Sequence, residues 1–510
     1  MEDSNKIIIG VDNTHINFGR KPIILNYDEV TPENFMDVFN DAKPIFEENQ
    51  RDCFYLIDMY LGKHDILNRP APNTSNINNK TVINYAFPTT REIVGYTFGN
   101  PFEYIANDNK YKKDVSVISD VYNYENSYAI DTHTATYASI CGIGYEITLP
   151  ASDITKDNTP DVPVVSSALD PRFTFVVQST GIGNPQIMSG MEIRDSKNTI
   201  IKYVCFTDKY KFTLSGPTFT NLEVEKNPIG LDPITPFENA LLLTGDWEQA
   251  IPVMNAINQL TSDSLNDVEG TIKSLLVILG TDITDASTTL STIKDKRLLS
   301  LFNANGSGNS IDAKFISPQL DSQEVKELRS FLSDAKNIIT GIPDRQTNGA
   351  ASGDTGVAVI NRNGWTDIEI VAKLKELAIK KAKKRQLQVA IAILKKLNLV
   401  ADSLMVTDID INIDRHRMDN LSARTTAFST LVATGELATI DCLALSGLTN
   451  RVAEMVERGK EAKKQRQEEA IKMAKEAGEA SGEGEDENGA NKTAEIEKAA
   501  AGNKEEKPKE

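Results

Sequence analysis

The chain has 510 residues, 40% of them apolar and 25% charged, an ordinary globular composition with length for roughly three or four compact units of about 150 residues. Its 55 Lys and Arg against 73 Asp and Glu leave a formal net charge of −18. That excludes a protein that coats nucleic acid through an overall basic excess, while leaving room for a local basic strip.

Cys53, Cys141, Cys205 and Cys442 are scattered without a CxxC pair, and His15, His64, His133 and His416 lie out of helical reach of one another. This pattern argues against a disulfide framework or a zinc site and for a reducing compartment; no metal and no cofactor is expected. Glu2 and Asp3 ahead of Ile7, Ile8 and Ile9 are unlike the basic start of a secretory signal. The longest apolar runs, 275–279 and 389–394, fall far short of the ~18 residues that cross a bilayer, so no membrane span is expected.

In chain order, a helix is predicted over 31–61. Thr31 would cap it, Pro32 would take the first position, Phe46, Cys53, Leu56, Ile57 and Tyr60 would lie near one face, and Gly62 would stop it. A polar turn region follows over 70–80, then 81–106 mixes a short helix with aromatic residues and the turn signal Gly99-Asn100-Pro101. Residues 115–139 read as helical in pieces, leading to Gly142-Ile143-Gly144-Tyr145-Glu146. Between 147 and 235 the texture turns to β, with strands over 173–177, 199–206 and 209–214.

A helix over 246–269 carries Ile251, Met254, Ile257, Leu260, Ser264 and Val268 three or four residues apart. A second, over 321–340, carries Val325, Leu328, Leu332, Ala335 and Ile339 in a 3-4-3-4 spacing, a narrow seam suited to another helix. Each would span about 30 Å. Between them, 271–319 holds strand candidates at 274–279 and 314–317 and a flexible 303–310. Residues 343–354, rich in Asn, Gly, Ser and Ala, form a loop. A long helix over 366–397 places Val371, Leu374, Ala378, Ala382, Val389, Ile393 and Leu397 on roughly one face. A strand at 406–413 and helices at 420–434 and 450–477 complete the ordered chain. The 478–510 segment of Glu, Gly, Ala and Lys has too little apolar surface to offset its chain entropy and reads as disordered. No fixed-period repeat is present.

Gly181-Ile182-Gly183 and Gly306-Ser307-Gly308 do not extend to a phosphate-binding motif and read as turns. His133 near Asp131 reads as a structural polar pair, since no nucleophile elbow accompanies it. Asp408, Asp410 and Asp414 alternate as a half-exposed strand would, with a carboxylate metal site the lesser reading. The densest basic run is Lys380, Lys381, Lys383, Lys384 and Arg385, with Lys373, Lys375, Lys395 and Lys396 nearby. It can be a solvated helix face, or a contact for DNA phosphates or an acidic neighbouring subunit.

The order of several short motifs resembles the portal proteins of long-tailed, siphovirus-type bacteriophages. The motifs begin with Tyr60-Leu61-Gly62-Lys63-His64, Asn78-Asn79-Lys80, Asn84-Tyr85, Ile93-Val94, Tyr96 and Gly99-Asn100-Pro101, followed by the Gly142 to Glu146 word. The longest block is Asn227-Pro228-Ile229-Gly230, Pro233-Ile234, Phe237-Glu238-Asn239, Asp246-Trp247-Glu248 and Met254-Asn255-Ala256, with Ser262-Asp263 and Asn266 behind it. Thr355-Gly356-Val357-Ala358-Val359 resembles the family's Ser-Gly-Val-Ala-Leu signature, with threonine for serine; 414–418 departs from the pattern.

The resemblance implies an α+β, portal-like fold: an α/β wing in two parts (1–245 and 355–418, the second including a channel helix), stem helices at 246–270 and 320–342 bracketing a small β-rich clip (271–319), a tunnel loop (343–354), a helical crown (419–477) and a disordered acidic tail (478–510). It implies a non-enzymatic homo-oligomeric ring of twelve subunits in the virion, assembled in the bacterial host cytoplasm. Double-stranded DNA would pass through its channel during packaging and ejection. The implied partners are the terminase large subunit, the head-completion adaptor, and the major capsid and scaffold proteins, with no membrane. Arg345, Gln346, Thr347, Asn348, Gly349, Ser352, Gly353 and Asp354 would face DNA; Val325, Leu328, Leu332 and Ile339 would pack the stem; Lys380, Lys381, Lys383, Lys384 and Arg385 would touch a subunit or DNA. An acidic chain with a Gly, Ser and Asn loop suits a conduit through which DNA must slide. The competing readings are another oligomeric virion connector, and a hydrolase with a carboxylate site around Asp408 to Asp414.

Overall fold

A computed structural model describes residues 18–71, 77–151, 162–272, 275–279, 312–316, 322–342, 365–413, 421–435, 437–446, 448 and 452–480. Two units result, 1–418 and 419–510, fewer than chain length alone suggests, because long-range strand pairing draws most of the chain into one body.

The first unit is built on strand alternation. Strands β1 (Ile23–Leu25), β5 (Thr174–Ser179), β6 (Gln186–Arg194), β7 (Ile200–Phe206), β8 (Tyr210–Ser215) and β9 (Asn221–Lys226) form a six-stranded sheet in that order. β1 pairs parallel to β5 and the rest are antiparallel. Successive side chains point to opposite faces, so Phe175, Val177, Tyr203, Cys205, Phe212 and Leu214 form one core with Phe35, Phe39 and Phe46 of helix α1 (Phe35–Tyr60). Val204 and Phe206 belong to a second core, with Ile143, Tyr145, Ile147 and Ile234. Those residues lie on β3 (Ile143–Pro150) and β10 (Ile234–Glu238), which with β4 (Val164–Leu169) make a three-stranded sheet, order β10-β3-β4.

Helix α1 begins four residues after the expected cap. Residues 31–34 form a turn instead, in which Thr31 accepts from the Asn34 and Phe35 amides and donates its own to Asn34 Oδ1. Pro44 lies inside α1 on the exposed side, where the carbonyl it frees at Asn40 can meet solvent.

Helices α2 (Ala86–Thr97), α3 (Lys112–Tyr124) and α4 (Ser127–Cys141) follow, with β2 (Glu103–Ala106) between α2 and α3. The turn from α4 into β3 explains both glycines of the 142–146 word. Gly142 caps α4 at φ +80°, and a Cβ there would meet Leu243 O at 1.8 Å; one on Gly144 would meet Thr134 O at 2.5 Å. Helices α5 (Ile251–Ile272) and α6 (Ser322–Thr340) flank a hairpin, β11 (Leu275–Leu279) with β12 (Asp312–Ile316), in register Leu275↔Ile316. Helix α7 (Trp365–Lys396) lies on β10 and β3. A 3-10 turn (Val406–Asp408) takes the start of the expected 406–413 strand, leaving β13 (Ile409–Asn412) to pair antiparallel with β2.

The second unit holds helices α8 (Leu421–Thr434), α9 (Thr439–Ser446) and α10 (Val452–Ala480). α9 was not expected. The expected tail, 478–510, begins inside α10; its residues 481–510 lie outside the described ones. The whole is an α+β protein.

Candidate functional site

Helix α5 carries a polar stripe of Asn255, Asn258, Ser262 and Asn266, spaced three and then four residues apart, which meets an extended segment, 77–83. Ile83 N donates to Asn258 Oδ1 (2.7 Å), Thr81 N to Ser262 Oγ (2.9 Å) and Asn79 N to Asn266 Oδ1 (2.7 Å). The two periods match: alternate amides of an extended chain advance about 6.6 Å and four helical residues about 6 Å, so one ladder serves both. Asn79 Nδ2 donates to Glu269 Oε2 (2.7 Å) and Arg69 pairs with Asp263 at 2.5 Å. Asn258 also bonds the buried His64 at 2.9 Å, and Asn255 donates to Asp65 (2.8 Å). The words Asn78-Asn79-Lys80 and Ser262-Asp263, separate in sequence, are thus two sides of one joint.

Helix α6 also packs on α5. Lys336 is buried with its ammonium 4.2 Å from the Tyr85 ring centroid, and buried Thr340 donates to Lys336 O (2.9 Å). The predicted seam is only half covered within the chain: Val325, Leu332 and Ala335 are intermediate, while Leu328 and Ile339 are exposed. Phe331 and Ile338, outside that seam, are more exposed still.

The basic run on α7 divides in a way its sequence hides. Lys383 is fully buried, paired with Asp131 of α4 and 3.5 Å from Glu146 of β3. Gln386 accepts from Lys383 (2.5 Å) and donates to Glu146. Burial opposes the lysine's charge, but the two carboxylates outweigh it and hold its pKa above the ordinary value. Burial likewise raises Asp131, and raises Glu146 to about 7, against the pull of Lys383. Two turns earlier Lys375 is buried against Asp246 (2.5 Å) and Asn239 (2.6 Å). Arg385 is half-buried near Asp232, whose carboxyl burial pushes up to about 6 while Ser189 and Gln186 donate to it. Lys383 therefore cannot touch DNA or a neighbouring subunit, because its charge is satisfied inside the fold. Lys381 and Lys384 are exposed, and Lys380 pairs with Glu376 at 3.0 Å.

Other expectations change similarly. Asp131 pairs with Lys383 and not with His133, which stacks on Tyr137 at 4.7 Å. Asp408 accepts from Met405 N and Asp410 from Ile411 N, each a local backbone bond. Leu374 and Leu397, expected on roughly one face with Val371, Ala378, Ala382, Val389 and Ile393, are exposed, and Leu397 lies one residue beyond α7. Gly181-Ile182-Gly183 forms a hairpin turn. Among the described residues no three His, Cys, Asp or Glu side chains gather as a metal site, and no helix is long and apolar enough to cross a membrane. Arg345, Gln346, Thr347, Asn348, Gly349, Ser352, Gly353, Asp354, Asp414 and the 306–308 turn lie outside the described residues.

Residues 42–469 match the family described as Phage portal protein, SPP1 Gp6-like. The chain belongs to this phage portal family. A portal or connector role comes with that membership. No curated protein matches it. Three similar solved structures come from gene transfer agent (GTA) particles. The neck of the empty particle, computed with C6 symmetry, is 12% identical with a TM-score of 0.44, over 78% of this chain and 94% of that one. The neck of the native particle, computed with C12 symmetry, is 13% identical with a TM-score of 0.41, over 71% and 89%. The virion of the native particle gives 12% identity and a TM-score of 0.42, over 78% and 94%. For a phage portal protein, the α5–hairpin–α6 unit and its exposed apolar faces are the features to explain.

Proposed function

We propose that this chain is the subunit of a ring at one vertex of a phage capsid, through whose channel double-stranded DNA is packaged and later ejected. The observation that carries this reading is the pair α5 and α6, which brackets a β-hairpin and leaves apolar side chains of α6 uncovered in the single chain. A helix that exposes leucine, phenylalanine and isoleucine has its natural cover in a further copy. In this reading 246–270 and 320–342 are stem helices and 271–319 is the clip, the surface offered first to the terminase large subunit and then to the head-completion adaptor. Residues 343–354 form the tunnel loop facing DNA, 1–245 and 355–418 the wing, and 419–477 the crown. Ring number is twelve in the assembled virion, and major capsid and scaffold proteins are the remaining neighbours. The role is structural, with packaging energy supplied by the terminase. Asp408 and Asp410, bound to nearby amides, offer no support for hydrolysis.

The test is complementation. A particle-producing strain with this coding sequence interrupted should make capsids without packaged DNA, and the supplied chain should restore DNA-filled particles. DNA-filled particles in the interrupted strain would refute the reading.

A further inference from the structure

Over residues 370–383 helix α7 is inverted: Lys375 and Lys383 point into the fold, while Ile370, Leu374 and Leu377 are 53%, 69% and 71% exposed. They continue at helical spacing into exposed Lys381. The loop beside them exposes Leu241 (95%) and Leu242 (69%). The loop adjoins the Lys381 end of this stripe. Lys375 binds Asn239 and Asp246 at either end of that loop, and Lys381 shares with Leu241, Leu242 and Leu243 the lining of a cavity of about 350 Å³.

At ~150 Å² for a fully exposed aliphatic side chain, these five side chains expose about 500 Å² of apolar surface, near the upper end for a monomer. The apolar share of a standard interface is similar, about 450 Å² of the ~800 Å² each partner contributes. A second patch of nearly equal size lies on the helix pair: Leu265 and Val268 of α5 with Leu328, Phe331, Ile338 and Ile339 of α6, 43–81% exposed. A closed ring needs two different patches on every subunit, because its interfaces are head-to-tail. Their polar surroundings are complementary: Glu327 and Asp334 flank Phe331 on its helix face, whereas Lys381 and Lys384 extend the Leu377 stripe.

We infer that the α7 and 241–242 patch of one copy docks on the α5–α6 patch of the next copy, with Leu377 near Phe331. This rests on the ring reading above and adds which two surfaces meet.

The test uses the full-length chain with Leu377→Cys and Phe331→Cys together, treated with a short bismaleimide; the four native cysteines are buried. The expected product is a ladder of covalent multimers, absent from either single variant and from Phe331→Cys paired with Glu223→Cys on β9. Rings that form normally without the ladder overturn the inference and leave the ring reading standing. No rings from the unmodified chain overturn both. As a second arm, Leu374→Glu with Leu377→Glu should yield subunits of monomer mass with unchanged far-ultraviolet circular dichroism. Intact rings from that variant would overturn the inference as well.

Discussion

Replacing Lys383 with methionine tests whether this basic helix is keyed into the core. Lys383 and Glu146 have side-chain exposures of 0% and Asp131 of 4%, so the variant leaves two carboxyl groups without their counter-ion in a water-free site. Breaking a buried pair in this way costs about 3–5 kcal/mol. The loss should depend on pH. Glu146 in the native protein sits at about 7, above its unfolded value, so its contribution is fully present below the unfolded value and falls as pH rises to about 7. Without Lys383 the folded-state values of both carboxyls rise further. The falling window then extends above pH 7, at up to about 1.4 kcal/mol per pH unit for each carboxyl. Urea unfolding followed by the fluorescence of buried Trp247 should show a Lys383→Met deficit that is larger at pH 8 than at pH 5. Adding Asp131→Asn and Glu146→Gln should recover most of it. A Lys383→Met protein within about 0.5 kcal/mol of the parent at both pH values would be what a surface contact predicts, and would refute the buried assignment.

Three further outcomes are expected. Changing Asn258, Ser262 and Asn266 together to alanine strands the amides of Ile83, Thr81 and Asn79, at about 1–3 kcal/mol each where water cannot reach; hydrogen exchange at 79–83 should rise well above that elsewhere in the unit. Asp232, at about 6 and buried, stabilises most below its unfolded value and less as pH rises to about 6. The stability of the parent relative to Asp232→Asn should therefore fall by about 3 kcal/mol between pH 3 and pH 7 in urea titrations, and a flat difference would count against that environment. Leu332→Asp should prevent ring assembly in sedimentation, since an unpaired charge at a covered helix seam costs several kcal/mol; normal rings would remove Leu332 from the interface.

Periodicity made much of the architecture legible. The strands at 173–177, 199–206 and 209–214 were visible because alternate β-branched and aromatic residues fill two separate cores, and the helices at 246–269 and 321–340 because apolar residues recur every three or four positions. Strands such as β9, Asn221–Lys226, were missed because an exposed edge strand in which only Leu222 and Val224 alternate with Glu223 and Glu225 carries too short an apolar pattern to stand out. The inward lysines of α7 escaped for a different reason. A hydrophobic-face analysis assigns charges to solvent, whereas Lys383 is balanced by Asp131 and Glu146, more than two hundred residues away. The Asn258, Ser262, Asn266 stripe was readable as a spacing of four, but its partner was three backbone amides, which leave no mark in a sequence.

In the proposed function the protein assembles as a ring with a central hole. The most direct measurement is the mass of the purified full-length protein in solution, with imaging of the same sample. About a dozen subunits around an open channel is the predicted result. A closed dimer or tetramer without a channel would contradict the account.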